Sequence, residues 1–169
     1  YLENSFKQQR IFSAYYGQGG EREVTTDEMQ TALAEFYAKA DVMVIQKQSG
    51  EEGETIKAQA DGYLNRVKAG EDIYDLIFEQ EKAAYDEAIK EDPELELEEP
   101  VRPENDSRMV IFNESNRGQY SSALIDAALA STPGEPILVE DTTFYYILNP
   151  RDINEDPNTL LAYYDNVLQ

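Results

Sequence analysis

The sequence predicts an α+β fold with a small mixed or antiparallel sheet. Four short runs are rich in β-branched and aromatic residues, whereas most other apolar residues recur at helical spacing. The strand-like runs are few and do not simply alternate with the helical segments. A doubly wound fold would require that alternation, so we favour the α+β class.

The first part of the chain predicts two helices and one strand. Residues 1–16 carry apolar side chains in a loose helical pattern, which the glycine-rich residues 17–20 end. The clearest helix start is Thr25-x-x-Glu28, a capping box followed by apolar residues at helical spacing. Residues 42–45 form a β-prone run without helical period, and we expect a strand buried on both faces.

The middle of the chain predicts two helices and an irregular insert. Apolar residues recur at helical spacing from Thr55 to Gly70, where a C-terminal cap glycine belongs. A second helix starts near Asp72, and its fading pattern predicts a long, partly solvent-facing helix. Residues 91–107 combine three prolines with dense acid, which opposes both helix and buried strand. We therefore expect an exposed, mobile acidic insert.

The last third predicts three strands and two helices. Residues 109–112 form a buried-type strand, and Ser121 begins a helix. Residues 137–139 and 144–148 are two strands joined by a hairpin-length connection. The pair Asp156-Pro157 then predicts the start of a C-terminal amphipathic helix.

Composition restricts the chemistry. At 169 residues the chain is long enough for one compact domain with appendages. Its net charge of -21 repels phosphate backbones and anionic lipid headgroups, so we expect no nucleic-acid partner. No stretch approaches the roughly 18 consecutive apolar residues of a membrane span, so we expect no direct membrane insertion by this fragment. The sequence lacks histidine and cysteine, which excludes imidazole, thiolate and cysteine-zinc chemistry. The acid-rich residues 91–99 offer oxygens that calcium could use, but they lack the spacing and the glycine turn of an EF-hand loop, so we favour a solvated loop. No motif in the sequence predicts a metal or a cofactor.

Four segments, taken in order, carry the pattern of a known family. Residues 37–45 resemble an opening strand of the form Ala-x-His-Ile-Leu-Val, and residues 67–76 resemble a Gly-x-Asp-Phe-x-x-Leu helix junction. Residues 117–135 are similar to a run from Arg-Gly-Gln-Met to Pro-Gly-Glu, and residues 143–148 to a closing strand x-Gly-Tyr-His-Ile-Ile. This order resembles the parvulin family of peptidyl-prolyl cis/trans isomerases, or rotamases, in the form found in exported bacterial foldases.

The resemblance implies a domain organisation. Residues 37–152 would form a small four-stranded, mostly antiparallel sheet flanked by helices, interrupted by the acidic insert at about 91–107. Exported parvulin foldases often place a helical chaperone lobe before the isomerase domain. Residues 1–36 would be part of such a lobe, and residues 153–169 a helix packing back on it. Because the chain begins at Tyr1, we expect a fragment from which a targeting segment has been trimmed.

The resemblance also implies a peptide-binding groove, but it identifies no catalytic residue in this sequence. The family commonly uses two histidines, a Cys or Asp, and a Met and a Phe. Here Tyr120 stands for the Met, Leu124 for the Phe, and Arg108 lies near the Cys or Asp position. Thr143 keeps a hydroxyl where the family often has Ser or Thr. The candidate groove residues are therefore Val42, Arg108, Tyr120, Leu124, Thr143 and Tyr146. Val42 and Tyr146 replace the two histidines. Since valine cannot hydrogen-bond, the polar network of the family is lost and strong catalysis is not expected.

Two functions follow as hypotheses. The first is an extracytoplasmic folding factor that binds proline-containing or unfolded polypeptide with weak or absent isomerase activity, membrane-anchored or at the surface of a bacterial cell. The second is a non-catalytic structural or adhesive module that retains only the fold. In that alternative, Val42, Leu124 and Tyr146 are core residues of a pocket that has closed.

Overall fold

The computed structural model of the protein describes residues 25–47 and 51–155, together with residues 14, 20 and 22. The predicted helix over residues 1–16, apart from Ala14, and the predicted C-terminal helix from Asp156 lie outside these residues. The chain divides into two compact units. One unit comprises Tyr1–Tyr37 with Ile153–Gln169, and the other is Ala38–Asp152.

The first unit contains helix α1, Thr26–Phe36, which the capping box predicted. The Glu28 amide donates to Thr25 Oγ1 at 3.2 Å, and the Thr25 amide donates to Glu28 Oε2 at 2.9 Å. These reciprocal bonds satisfy amide groups that a helix start leaves without partners. The pKa of Glu28 is lowered because its carboxylate accepts hydrogen bonds from Thr25. Leu33 is the buried residue of this helix.

The second unit contains the whole sheet and three further α-helices, so the α+β prediction is confirmed. The elements, in chain order, are β1 (Ala38–Gln46), α2 (Glu51–Lys68), α3 (Ile73–Glu91), β2 (Met109–Phe112), a 3-10 turn (Glu114–Gly118), α4 (Ser122–Leu129), β3 (Ile137–Glu140) and β4 (Phe144–Arg151). The four strands lie in the order β2-β1-β4-β3, and every neighbouring pair is antiparallel.

Local sequence signals set the ends of the helices around the sheet. Asp72 caps α3 by accepting a hydrogen bond from the Tyr74 amide at 2.8 Å. Gly70 has a φ of 92°, a backbone conformation that glycine adopts without steric cost. It separates α2 from α3, as predicted. Ser121 caps α4 and places this short helix against the sheet.

The two faces of the sheet have separate cores. On one face, which we call the closed face, α2 and α3 cover the odd-numbered side chains of β1 and β4. These buried residues are Met43, Ile45, Tyr145 and Ile147. On the opposite face, which we call the open face, α4 contributes Leu124, Ile125 and Ala128 to a second core.

The insert between α3 and β2 is irregular and exposed, as its proline and acid content predicts. Several ion pairs join it to the rest of the unit. Glu99 pairs with Lys82 at 3.4 Å, and Arg102 pairs with Asp72 at 3.0 Å and also with Asp75. The middle of the insert is therefore attached to α3 and to its cap residue Asp72.

Candidate functional site

The candidate site lies on the open face, where the strand period brings even-numbered residues together. Val42 lies opposite Leu148, and Val44 lies opposite Tyr146, across the β1–β4 pair. Helix α4 covers the first pair, leaving Val42 only 9% exposed and Leu148 fully buried. In the second pair, Val44 is exposed, whereas Tyr146 packs half-buried against the cluster that contains α4.

The prediction that residues 42–45 are buried on both faces is wrong at Val44, whose side chain is 46% exposed. Phe144 and Tyr146 beside it are half-buried, with ring centroids 5.9 Å apart and ring planes tilted by 58°. We call Val44, Phe144 and Tyr146 the open patch. Aromatic rings beside an exposed valine give a surface that an apolar segment can contact.

Asp141 orients the phenol of the open patch. Tyr146 donates its hydroxyl proton to Asp141 Oδ2 at 2.9 Å. Asp141 Oδ1 accepts the amides of Thr143 and Phe144, each at 2.7 Å. These bonds form an Asx turn between β3 and β4, so one carboxylate fixes both the hairpin and the tyrosine.

The electrostatics of this pair keep the phenol protonated. Burial, followed by the hydrogen bond to Asp141, raises the pKa of Tyr146 to about 12. Burial of the Asp141 carboxyl would raise its pKa, but the hydrogen bonds from Thr143, Phe144 and Tyr146 outweigh this effect and hold the pKa below its ordinary value. Because the single phenol proton is directed at Asp141, the oxygen of Tyr146 is left to accept hydrogen bonds from other molecules.

The structure brings four of the six predicted groove residues into one cluster. Val42 and Leu124 are buried within it, and Tyr120 and Tyr146 pack against it half-buried. The Tyr120 ring meets Phe112 edge-on, with centroids 5.4 Å apart. Val42 and Leu124 therefore form the floor beneath the face.

The other two predicted residues lie apart from this cluster. The carbonyl of Arg108 accepts the Val42 amide at 3.1 Å, but its side chain pairs with Glu81 of α3 at 2.9 Å. Since α3 covers the closed face, the guanidinium does not join the open patch. Thr143 is exposed and reaches Tyr146 only through the shared carboxylate of Asp141.

Sequence reasoning missed Val44, Phe144 and Asp141. A signal existed for Asp141, because an aspartate two residues before Thr143 in a hairpin connection is typical of an Asx turn. No comparable local signal marks Val44, whose exposure depends on where α4 ends over the sheet.

A pocket of about 500 Å³ lies elsewhere in the same unit. Its buried Asp41 accepts a hydrogen bond from the Tyr74 hydroxyl at 2.8 Å, and Arg151 lies 3.5 Å from the same oxygen. The other lining carboxylates are also engaged, because Asp106 pairs with Arg151, Asp72 with Arg102 and Glu71 with Arg66. Each carboxylate that lines the pocket therefore already has a partner within the protein.

Within residues 25–47 and 51–155, no group of three or more acidic side chains is arranged to hold a metal ion. In the same part of the chain, every helix is too short or too polar to cross a bilayer.

Comparison with known proteins gives one similar structure. The chain is similar to the crystal structure of foldase protein PrsA from Streptococcus pneumoniae str. Canada MDR_19A, at 16% sequence identity and a TM-score of 0.38. The similarity covers 97% of this chain and 53% of that chain, so this chain spans about half the length of the matched protein. No family model matches the sequence, and no curated protein matches it significantly.

Proposed function

We propose that the unit Ala38–Asp152 is a parvulin-like domain of an exported bacterial foldase, which holds proline-containing or unfolded polypeptide with weak or absent isomerase activity. The observation that carries this proposal is the open patch. Val44 is 46% exposed and stands beside two half-buried aromatic rings, on the face where the family resemblance places its groove. Apolar contact with a polar phenol edge suits a proline ring and its neighbouring backbone.

The same face of the sheet also explains why we propose weak or absent isomerase activity. Rotation about an Xaa-Pro bond must overcome an amide barrier of roughly 18–20 kcal/mol. At the two positions where the resemblance implies histidine, Val42 has no polar group, and Tyr146 directs its proton at Asp141. The patch therefore offers contact and a hydrogen-bond acceptor, but it offers a client no donor from either position.

The composition supports polypeptide over other ligands and is compatible with export. A net charge of -21 disfavours nucleic acid, and the absence of cysteine suits a compartment where stray thiols would oxidise. The extracytoplasmic location, with attachment at the membrane or cell surface, belongs to this proposal.

The first test is a titration of the ¹⁵N-labelled protein with an Ala-Ala-Pro-Phe peptide up to millimolar concentration. We expect chemical-shift changes centred on Val44, Phe144 and Tyr146, and we expect Val44→Thr to weaken them. Ile111→Thr is the matched control, because Ile111 is 36% exposed on a strand but lies opposite Lys39 at the far end of β1. Absent shifts, or an equal loss in both variants, would reject the groove.

The second test measures catalysis directly. Exchange spectroscopy on the same peptide should show cis/trans interconversion near its uncatalysed time of tens to hundreds of seconds. Fast exchange in the presence of the protein would contradict the assignment of weak activity while leaving peptide binding intact.

One observation favours the alternative of a structural or adhesive surface module. Val42 and Leu124 are 9% and 1% exposed, so the floor of the implied groove is filled by core side chains. An aggregation-suppression assay on an unfolded client separates the two functions. Suppression that Val44→Thr weakens supports the folding factor, whereas no suppression together with no peptide binding supports the module.

A further inference from the structure

The insert between α3 and β2 exposes large apolar side chains on an acidic background. Leu95, Leu97 and Val101 are 42%, 44% and 78% exposed. Glutamates alternate with the two leucines from residue 94 to residue 98. Exposed apolar side chains grouped in one segment are typical of interaction sites, whereas isolated ones are common on any surface.

The insert continues directly from α3, and ion pairs attach it to the protein after its two leucines. Before them, the Leu95 amide donates to the Asp92 carbonyl at 3.1 Å, directly after α3. After the leucines, Glu99 pairs with Lys82, and Arg102 pairs with Asp72. A segment held in this way loses less conformational entropy on binding than a free tail.

The glutamates between these attachments are available to a partner. Within residues 25–47 and 51–155, the carboxylates of Glu94, Glu96 and Glu98 form no ion pair or hydrogen bond. By contrast, Lys82 pairs with Asp86 of α3, and Arg102 pairs with Asp75 of α3 and with its cap Asp72. The segment therefore presents leucine side chains between unneutralised negative charges.

The negative charge of the insert determines which class of molecule can bind to it. Nucleic acids and anionic membranes are repelled by the free carboxylates. A second copy of this chain, which also carries a net charge of -21, is repelled in the same way. A basic polypeptide gains from both kinds of contact, because its cations meet the glutamates and its apolar residues cover the leucines.

We propose that residues 93–101 are a docking segment for a basic polypeptide in which lysine or arginine alternates with apolar residues. This surface is separate from the open patch and does not depend on the proposed groove. It recognises its partner through side-chain charge and apolar contact, and it has no requirement for proline.

The test is an NMR titration of the whole ¹⁵N-labelled chain with a capped eight-residue peptide of alternating lysine and leucine. We expect shifts concentrated in residues 93–101, and affinity that falls by about tenfold between 30 and 300 mM salt because exposed charges are screened. A lysine-serine peptide and a glutamate-leucine peptide are the controls, and both should bind at least about tenfold more weakly than the lysine-leucine peptide.

Two variants separate the apolar and the charge contributions. Leu95→Ser with Leu97→Ser should weaken the lysine-leucine peptide about tenfold, and Glu94→Gln, Glu96→Gln and Glu98→Gln together should remove most of the salt dependence. Because the substituted side chains are exposed, unfolding midpoints should not change. Ile111→Thr, a substitution in β2 outside the insert, should leave the affinity unchanged.

Three results would overturn the docking segment. They are equal binding of the glutamate-leucine peptide, shifts confined to Val44, Phe144 and Tyr146, and stronger binding of anionic phospholipid vesicles than of the basic peptide. Loss of proline-peptide binding in the Val44→Thr variant, with lysine-leucine binding retained, would show that the open patch and the docking segment bind their peptides independently.

Discussion

The two faces of the sheet are built from the same strands but have different surroundings. On the closed face, Met43, Tyr145 and Ile147 lie beneath α2 and α3 and are at most 6% exposed. On the open face, the eight-residue helix α4 covers Val42 but leaves Val44, two residues further along β1, 46% exposed. A longer cover stabilises one face, and a shorter cover leaves part of the other available for binding.

This difference separates stability from recognition along a single strand. Neighbouring residues of β1 point to opposite faces, so a substitution at an odd position tests the core and one at Val44 tests the surface. If the division is real, the free energy of unfolding and the affinity for peptide should respond to different residues.

The largest effect should come from the closed face. Ile147→Ala removes a fully buried side chain and should lower the free energy of unfolding by about 3 kcal/mol, because it leaves a cavity between the sheet and the helices. Urea unfolding followed by circular dichroism measures this change. Ile147→Val is the control and should cost about 1 kcal/mol. A loss below about 1 kcal/mol for the alanine variant would show that this core is not closely packed.

Much of the fold could be predicted because its signals are local. The Thr25 capping box, the Asp72 cap and Gly70 each act within a few residues of themselves. The start of β1 was harder to see, because Lys39 and Asp41 are polar but only 4% exposed. Asp41 is tolerated there since the Tyr74 hydroxyl, 33 residues away, donates to it.

The candidate site was less predictable because it depends on tertiary contacts. The family resemblance led to Tyr146, and the structure places this residue in the open patch. The resemblance could not show that Arg108 turns toward Glu81 or that α4 stops short of Val44, because both depend on how the helices pack against the sheet. Asp141 could have been identified from local sequence, since the turn that it forms spans only the four residues from Asp141 to Phe144.

An intermediate effect is expected at Asp141, which joins the hairpin to the open patch. Asp141→Ala should lower the free energy of unfolding by about 1–2 kcal/mol, because two turn amides lose their acceptor. It should also weaken proline-peptide binding by releasing the Tyr146 phenol. Glu135→Ala, which removes an exposed carboxylate, is the control and should change neither property.

The Asp141 contribution should depend on pH in a defined direction. Its folded-state pKa lies below the unfolded value of about 3.9, so the carboxylate stabilises the fold above that pH. This stabilisation is lost as the pH falls from about 3.9 through the folded pKa. Urea unfolding at several pH values should therefore show a gap between wild type and Asp141→Ala at pH 6 that narrows below pH 4. A difference in the free energy of unfolding that stays constant with pH would show that the ionised Asp141 carboxylate does not stabilise the fold.

The smallest effect on stability, and the sharpest test of the contrast between faces, is expected at Val44. Val44→Thr keeps the β-branched shape on a side chain that is 46% exposed, so the free energy of unfolding should change by less than about 0.5 kcal/mol. The same substitution places a hydroxyl beside the rings of Phe144 and Tyr146, and it should weaken proline-peptide binding in the titration. A loss of stability approaching that of Ile147→Ala would mean that α4 and its surroundings close this face as fully as the other. Unchanged stability with weakened binding would identify Val44 as a residue that the fold leaves exposed and the groove uses.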